Sequence, residues 1–506
     1  MQYGFVIDHR RCIGCHACTV ACKSENEVPV GNFRTWVKYT EIGTFPQVRR
    51  HFAVLRCNHC TAAPCVTICP VTALDKRPDG IVDLDKDVCI GCKACMQACP
   101  YDALYLNEDT GGAEKCHYCA HRVEQGLEPA CVVVCPEQAI IAGDLHDPNS
   151  KIAQHARMPE AVARRPEQGT GPNVWYLGMD PVSLQPGTAR EPETYLWSER
   201  AEAPPPWPES HTTYPNATTT LDVHHPVLWG WKVSAYLVTK GIAAGAAMLA
   251  PFLPWLGAGA LAPDTFVRAY LPELLGIVFV TVTTALLVMD LKRPAKFFSL
   301  LLRPNTRSWL VKGAWVLISF SGVVSAALAA RFLGFDAIAD TLRWVALPLG
   351  AAVAAYTAFL FAQCEGRDLW QRTSHLLPHL LAQAAMLGAL ALLPAVPSLA
   401  LSVVAIVGAA AHLWLGLGER SGPHDTANAR QAASLLDRIP VWKGARGSAF
   451  HTGLVLSSIA AVAAVVVVAI GVASTPLLAA CFSTACIGLF FYEQAYVRAA
   501  QLPPLS

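Results

Sequence analysis

Sixteen of the nineteen cysteines lie between Cys12 and Cys135, in four runs of four. The runs are Cys12, Cys15, Cys18 and Cys22; Cys57, Cys60, Cys65 and Cys69; Cys89, Cys92, Cys95 and Cys99; and Cys116, Cys119, Cys131 and Cys135. Runs one and three share the spacing C-x2-C-x2-C-x3-C, in which thiolates hold [4Fe–4S] clusters. Three thiolates on a tight loop reach three irons of one cube. The fourth, three residues on, starts a helix that points away and serves the other cluster of a pair. Pro100 follows run three and Pro136 run four, whereas Lys23 follows run one. Run two, CNHCTAAPCVTICP, is not spaced as a zinc finger, and no histidine pair follows it at finger spacing. A disulfide framework suits a small secreted domain, not a 506-residue chain with tight cysteine pairs and no apolar leader segment. Fourfold recurrence therefore favours four iron–sulfur clusters over zinc or structural thiols.

The rest of the chain is of another kind. The net charge of +1 gives no global field that would attract nucleic acid. From about residue 226 onward apolar runs dominate, and eight segments are each close to the ~20 residues that span a bilayer: 227–250, 271–290, 309–332, 343–363, 376–396, 398–418, 452–473 and 475–495. The reading is a cysteine-rich domain over 1–195, a Pro-rich linker over 196–225 containing PPPWPES, and an eight-span membrane domain over 226–498. Fourteen Lys and Arg lie on the side of the cysteine-rich domain and three, Arg268, Arg331 and Arg343, on the far side. By the positive-inside rule the cysteine-rich domain faces the cytoplasm of a bacterial-type inner membrane, although basic loops that dock this domain would mimic the same bias. Polar residues cluster at the same ends of the spans: His225, Lys232, Asp290, Gln363, Glu365, His375, His379, His412, Glu419, His451 and Glu493. Such residues are costly in a membrane and suit a site that handles protons with electrons.

With these runs, residues 1 to about 180 resemble the four-cluster electron-transfer subunit of membrane-bound molybdopterin oxidoreductases, the dimethyl-sulfoxide and polysulfide reductases among them. The resemblance implies an α+β tandem bacterial-ferredoxin-like domain, here followed by an all-α eight-helix transmembrane bundle. It also implies crossed pairing of the runs. One cluster takes Cys12, Cys15, Cys18 and Cys135; its partner takes Cys22, Cys116, Cys119 and Cys131. A third takes Cys57, Cys60, Cys65 and Cys99, and the fourth takes Cys69, Cys89, Cys92 and Cys95, nearest the membrane. Because Cys92 is present, four irons are expected there. His59 and His117, inside the x2 pairs, either tune cluster potentials or sit on the surface. The stretch GTGPNVWYL, residues 169–177, is expected to close the domain across its surface.

A second resemblance rests on WGWKVSAYLVTKGIAAG (229–245), MDLKRPAKFFSLLLRPNTRSWLVKGAW (289–315) and FLFAQCEGRDLWQ (359–371). These are similar to the polysulfide-reductase type anchor, the NrfD family, which binds quinol without haem. By position it implies a quinone site, for menaquinone or ubiquinone, near His225, Trp229, Tyr236 and Asp290. Lys240 lies on the same helix face as Tyr236. The expected function is electron transfer between a separate molybdopterin-containing catalytic subunit and the membrane quinone pool. The alternative is an ion-translocating module using Lys240, Glu273 and Asp290. A b-type cytochrome with His412 and His451 as axial ligands ranks below both, so no haem is expected.

Overall fold

The computed structural model describes residues 1–190, 214, 216–260, 265–472 and 474–506. The PPPWPES stretch lies outside them. The end of the expected linker, Ala217–Leu221, is a strand that pairs antiparallel with Thr35–Thr44, which in turn pairs with Gln47–Arg56. A second sheet has Tyr3–Asp8 antiparallel to Ile140–Asp144 and parallel to Val174–Leu177, with Val162–Ala163 at its edge. GTGPNVWYL thus does not cross the surface. Its end enters as an inner strand, because Val174, Tyr176 and Leu177 are fully buried apolar residues that need a sheet to cover them.

Each cysteine run is a loop that ends in a short helix holding its third cysteine: Ala17–Glu25, Pro64–Ile68, Ala94–Ala98 and Ala130–Val133. In runs two and three the fourth cysteine sits at the helix C-cap, where Pro70 and Pro100 stop the chain from continuing. Run one has Lys23 instead, and its helix runs on to Glu25. Hairpins Leu74–Lys76/Val82–Leu84 and Leu104–Leu106/Ala113–Lys115 separate runs two, three and four. Gly91 has φ +68°, and a Cβ there would lie 2.4 Å from the Gly111 carbonyl and 2.8 Å from the Lys292 side chain. Only glycine lets this loop turn while the membrane domain presses against it.

Eight helices are long and apolar enough to cross a membrane: Trp231–Phe252, Leu271–Asp290, Trp309–Phe332, Asp336–Ala362, Thr373–Leu392, Leu399–Ser421, Ala449–Ala469 and Thr475–Ala499. The fourth begins seven residues before its expected start of 343. Its charged first turns are paired, Asp336 and Asp340 with Arg331 and Arg343 with Glu273, so they join a helix that hydropathy alone truncates. Spans one to four and five to eight form two groups. The first and fifth spans join them, and a Cβ on Gly388 would lie 2.2 Å from the Gly245 carbonyl carbon. Small residues give this close approach where lipid supplies no hydrophobic drive.

The cysteine-rich domain rests on the ends of the spans, and basic loop residues hold it there. Arg293 donates to the carbonyls of Lys86, Cys89 and Thr110, and Lys296 to that of Asp87. Asn305 and Ser308 cap the end of helix Pro64–Ile68 through the carbonyls of Cys69 and Ile68, at 2.8 and 2.7 Å. The charges counted in these loops therefore include docking contacts. The chain after the last span completes the joint. Gln501 Oε1 accepts from Gln97 (2.7 Å) and from the backbone N–H of Leu228 and Trp229, Lys38 donates to the Ser506 carbonyl, and Arg164 to that of Leu505.

Candidate electron-transfer site

The fold brings cysteines of different runs together. One cavity is lined by Cys12, Cys15, Cys18 and Cys135, a second by Cys22, Cys116, Cys119 and Cys131, and a third by Cys69, Cys89, Cys92 and Cys95. For the remaining four, Cys65 interacts electrostatically with Cys99, Cys57 and Cys60. Of the sixteen, Cys15 is exposed, Cys12, Cys92 and Cys135 are half-buried, and the others are buried.

These sets fit polynuclear clusters. Among the described residues no three His, Cys, Asp or Glu are grouped to hold a single metal ion, as a tetrahedral zinc site would be. Burial pushes the Cys60, Cys92 and Cys99 thiols up to about 12, so thiolate character there needs a cationic group beside it. Donors point at the sulfurs: Asn26 Nδ2 lies 3.6 Å from Cys22 Sγ, the Ala113 N–H 3.5 Å from Cys89 Sγ and the Ala139 N–H 3.2 Å from Cys135 Sγ. Arg56 is the sharpest sign. Its fully buried guanidinium lines the second cavity and donates to Cys131 Sγ at 3.2 Å, while its Nε and Nη2 have no protein partner. An anionic cluster in that cavity would satisfy them. No spacing rule points to Arg56, which belongs to no motif.

His59 is buried, not on the surface, and its Nε2 has no hydrogen-bond partner in the protein. Its Nδ1 accepts from the Val82 N–H at 3.1 Å, which assigns the proton of the neutral ring to Nε2, and burial holds it well below its ordinary value. His117 lines the second cavity, and burial, then Arg34 beside it, lowers it to about 4. Burial works against the Glu114 carboxylate, but hydrogen bonds from Tyr105, Arg34, Asn107 and Lys86 hold it down at about 2. This web ties the hairpin before run four to the start of the strand that follows run one.

The four residues expected around a quinone separate into three environments. Trp229 and Asp290 meet run three directly: Trp229 Nε1 donates to the Cys92 carbonyl at 3.3 Å, and Asp290 pairs with Lys93 at 2.8 Å. Trp229 also stacks on Phe361 and Trp370. His225 stands at the joint, against Trp36, Asp102 and Ser506. Tyr236 is deeper, with Lys240 5.8 Å from its ring. Lys240 donates to the Ala354 carbonyl (3.1 Å) and to Thr357 Oγ1 (2.5 Å).

Other polar residues of the spans join in ways that their positions in the sequence do not reveal. His379 Nδ1 lies 2.9 Å from Glu419 Oε1 and its Nε2 2.7 Å from His412 Nδ1; Tyr492 donates to the same Glu419, and Gln383 to Glu493 at 2.8 Å. His375, His379 and Gln383 recur every four residues on the fifth span, the one signal that they share a face. His451 pairs instead with Asp437, so the two histidines weighed as haem ligands have different partners. On the far side Arg343 grips Glu273 at both oxygens, at 2.5 and 3.0 Å.

Comparison with known proteins bears on both regions. The family described as "4Fe-4S dicluster domain" matches residues 48–145, and "Polysulphide reductase, NrfD" matches residues 220–405. The chain is 45% identical over 202 residues to a tetrathionate reductase subunit of Salmonella typhimurium, across 39% of this chain and 80% of that protein. It is 38% identical over 230 residues to a putative dimethyl sulfoxide reductase iron-sulfur subunit of Halobacterium salinarum (40% and 88%). It is 36% identical over 225 residues to the arsenate respiratory reductase iron-sulfur subunit ArrB of Shewanella sp. (35% and 96%).

Proposed function

We propose a route for electrons through this chain, which belongs to the family of reductase iron–sulfur subunits and continues into a polysulphide reductase, NrfD, membrane domain. It is an iron–sulfur electron-transfer subunit and a multi-pass membrane protein. The finer reading is that four [4Fe–4S] clusters are held in the crossed pairing of runs one with four and two with three. The four-cysteine cavities and the unpartnered nitrogens of Arg56 support it. When bound, the clusters supply one-electron transfer. Twelve of the sixteen cysteines that would hold them are buried, N–H donors aim at cysteine sulfurs, and a cationic guanidinium stands beside one set.

The substrate at the membrane end is quinone, and a separate molybdopterin-containing subunit carries the outer reaction. The observation that carries the quinone reading is the double contact of run three with the spans, Trp229 on the Cys92 carbonyl and Asp290 on Lys93. It brings the last cluster loop into contact with the mouth of the bundle. Trp229 and Asp290 then belong to the quinone region, with His225 at its rim and Tyr236 at its floor. The cysteine-rich domain faces the cytoplasm in this reading. The ion-translocating alternative is weakened by the Glu273–Arg343 pair, whose charges are locked to each other at the far end.

The test uses the full chain in detergent, reduced by dithionite and mixed with a short-chain quinone. Reoxidation of the cluster EPR signals with quinol formation is the expected result, slowed at least about tenfold in Asp290→Asn, as for loss of a group that takes part in proton transfer. Clusters that reduce and reoxidise with no quinol formed would overturn the quinone reading while leaving the cluster reading intact.

A further inference from the structure

The buried polar groups of spans five, six and eight lie outside the quinone region just described. Their chemistry differs from that of the charge pair on the far side. Arg343 never gives up its proton, so its pair with Glu273 is a clamp. In the other set every member both donates and accepts when neutral: a carboxyl (Glu419), an imidazole with both nitrogens engaged (His379), a second imidazole (His412) and a phenol (Tyr492). His379 therefore joins two groups that can exchange a proton through it, accepting on one ring nitrogen and releasing from the other. His412 Nε2, buried and unpartnered, leaves the chain one open position.

The set also has two ends. Towards the cysteine-rich side, Arg372, His375 and His424 lie within electrostatic reach of Glu419, and His375 is half-buried at the end of its span. Inward, Gln383 follows His379 by one helical turn, about 5.4 Å along the axis, and Glu493 is the next residue after Tyr492, within electrostatic reach of Glu419. Glu493, hydrogen-bonded to Gln383, attracts Lys240, whose ammonium lies 4.9 and 5.8 Å from the rings of Tyr356 and Tyr236. The polar line thus crosses from the second helix group into the first and ends beside Tyr236.

We infer that Glu419, His379, His412 and Tyr492, continued by Glu493 and Lys240, form a proton relay between water on the cysteine-rich side and the quinone region. The inference rests on the quinone reading. Quinone reduction takes up a pair of electrons, which arrive singly through the cysteine-rich domain, and a pair of protons, which form the bonds to the quinone oxygens. Each proton leaves the relay at its Lys240 end, and Glu419 is recharged from water. Quinol oxidation runs the same steps backward. These residues act on the substrate only through this transfer, so they are relay groups and not catalytic residues.

The experiment compares the full-length chain with Glu419→Gln, which keeps the shape but cannot release a proton, and with Tyr492→Phe. All are reconstituted in liposomes, reduced by dithionite and given a short-chain quinone in H2O and in D2O. Glu419→Gln is expected to slow quinol formation about tenfold or more and to enlarge the solvent isotope effect, with quinone KM and the cluster EPR spectra unchanged. Tyr492→Phe is expected to show a smaller slowing of the same kind. A correctly assembled Glu419→Gln with unchanged rate and isotope effect overturns the relay. A wild-type protein that forms no quinol overturns the quinone reading and the relay with it, so the two failures are distinguishable. If the variants do not assemble, the wild-type protein decides: a buried-carboxyl band in the infrared difference spectrum on quinone reduction supports the relay, and its absence overturns it.

Discussion

The interior of the cysteine-rich domain and the interior of the bundle both bury polar groups, yet they aim them differently. In the first, Arg56 Nε and Nη2, His59 Nε2 and both side-chain amide atoms of Asn58 are buried without protein partners, and cysteines of different runs face shared cavities. In the second, polar groups hold one another: Arg343 with Glu273, Lys240 with Thr357, Gln383 with Glu493 and His379 with Glu419. The difference follows from the surroundings. Hydrocarbon offers no water to a stray polar group, so the bundle settles most of its own hydrogen bonds, His412 Nε2 and Ser457 Oγ being among the exceptions. A domain that forms around inorganic clusters leaves part of that work to them.

The largest expected effect strikes the first interior alone. Cys99→Ser abolishes the EPR signal of the cluster held by Cys57, Cys60 and Cys65 and leaves that of Cys89, Cys92 and Cys95. The opposite loss would break the crossed pairing. In the second interior, Arg343→Gln strands the Glu273 charge and costs about 3–5 kcal/mol, read as earlier thermal unfolding in detergent with cluster spectra unchanged. A cost under about 1 kcal/mol would mean that the bundle does not depend on settling its own charges. Returning to the first interior, Arg56→Gln removes a positive charge beside one cluster. Its potential falls on the order of 100 mV, from about 2 kcal/mol of Coulomb stabilisation at an effective dielectric near 20, as measured by redox-poised EPR. An unchanged potential would show that Arg56 serves the fold and not the guest. The smallest effect lies at the joint, where Gln501→Ala removes hydrogen bonds to Gln97, Leu228 and Trp229. A loss of about 1–3 kcal/mol, seen in calorimetry as earlier uncoupling of the two regions, is expected.

What could be read from the sequence follows the same divide. Cysteine runs are legible because loop length limits which thiolates reach one cube, and the shared cavities place Cys135 beside run one and Cys22 beside run four. Arg56 was not legible: it lies at the end of a strand between runs, and only the sheet brings it over Cys131. The spans are legible because hydrocarbon demands long apolar runs, and the start furthest from expectation, in the fourth, lies where charges are paired. The polar residues of the spans could be named but not joined, since which faces meet depends on helix rotation. His379 therefore appeared as one histidine among several, and its partners Glu419 and His412 came from the packing. The four residues carried over by position met a similar limit. Trp229 and Asp290 converge on run three, whereas His225 is engaged at the joint and Tyr236 lies below.

The tail after the last span bears on how the molecule is made. A ribosome releases the cysteine-rich domain first and residues 501–506 after all eight spans. Lys38 and Arg164, far apart from the tail in the chain, nevertheless hold the carbonyls of Ser506 and Leu505. The early domain must therefore wait, with its underside unfastened there, until residues 505 and 506 have been made. That interval leaves the underside open, and residues 501–506 close the joint only around a bundle whose final helix is already in place.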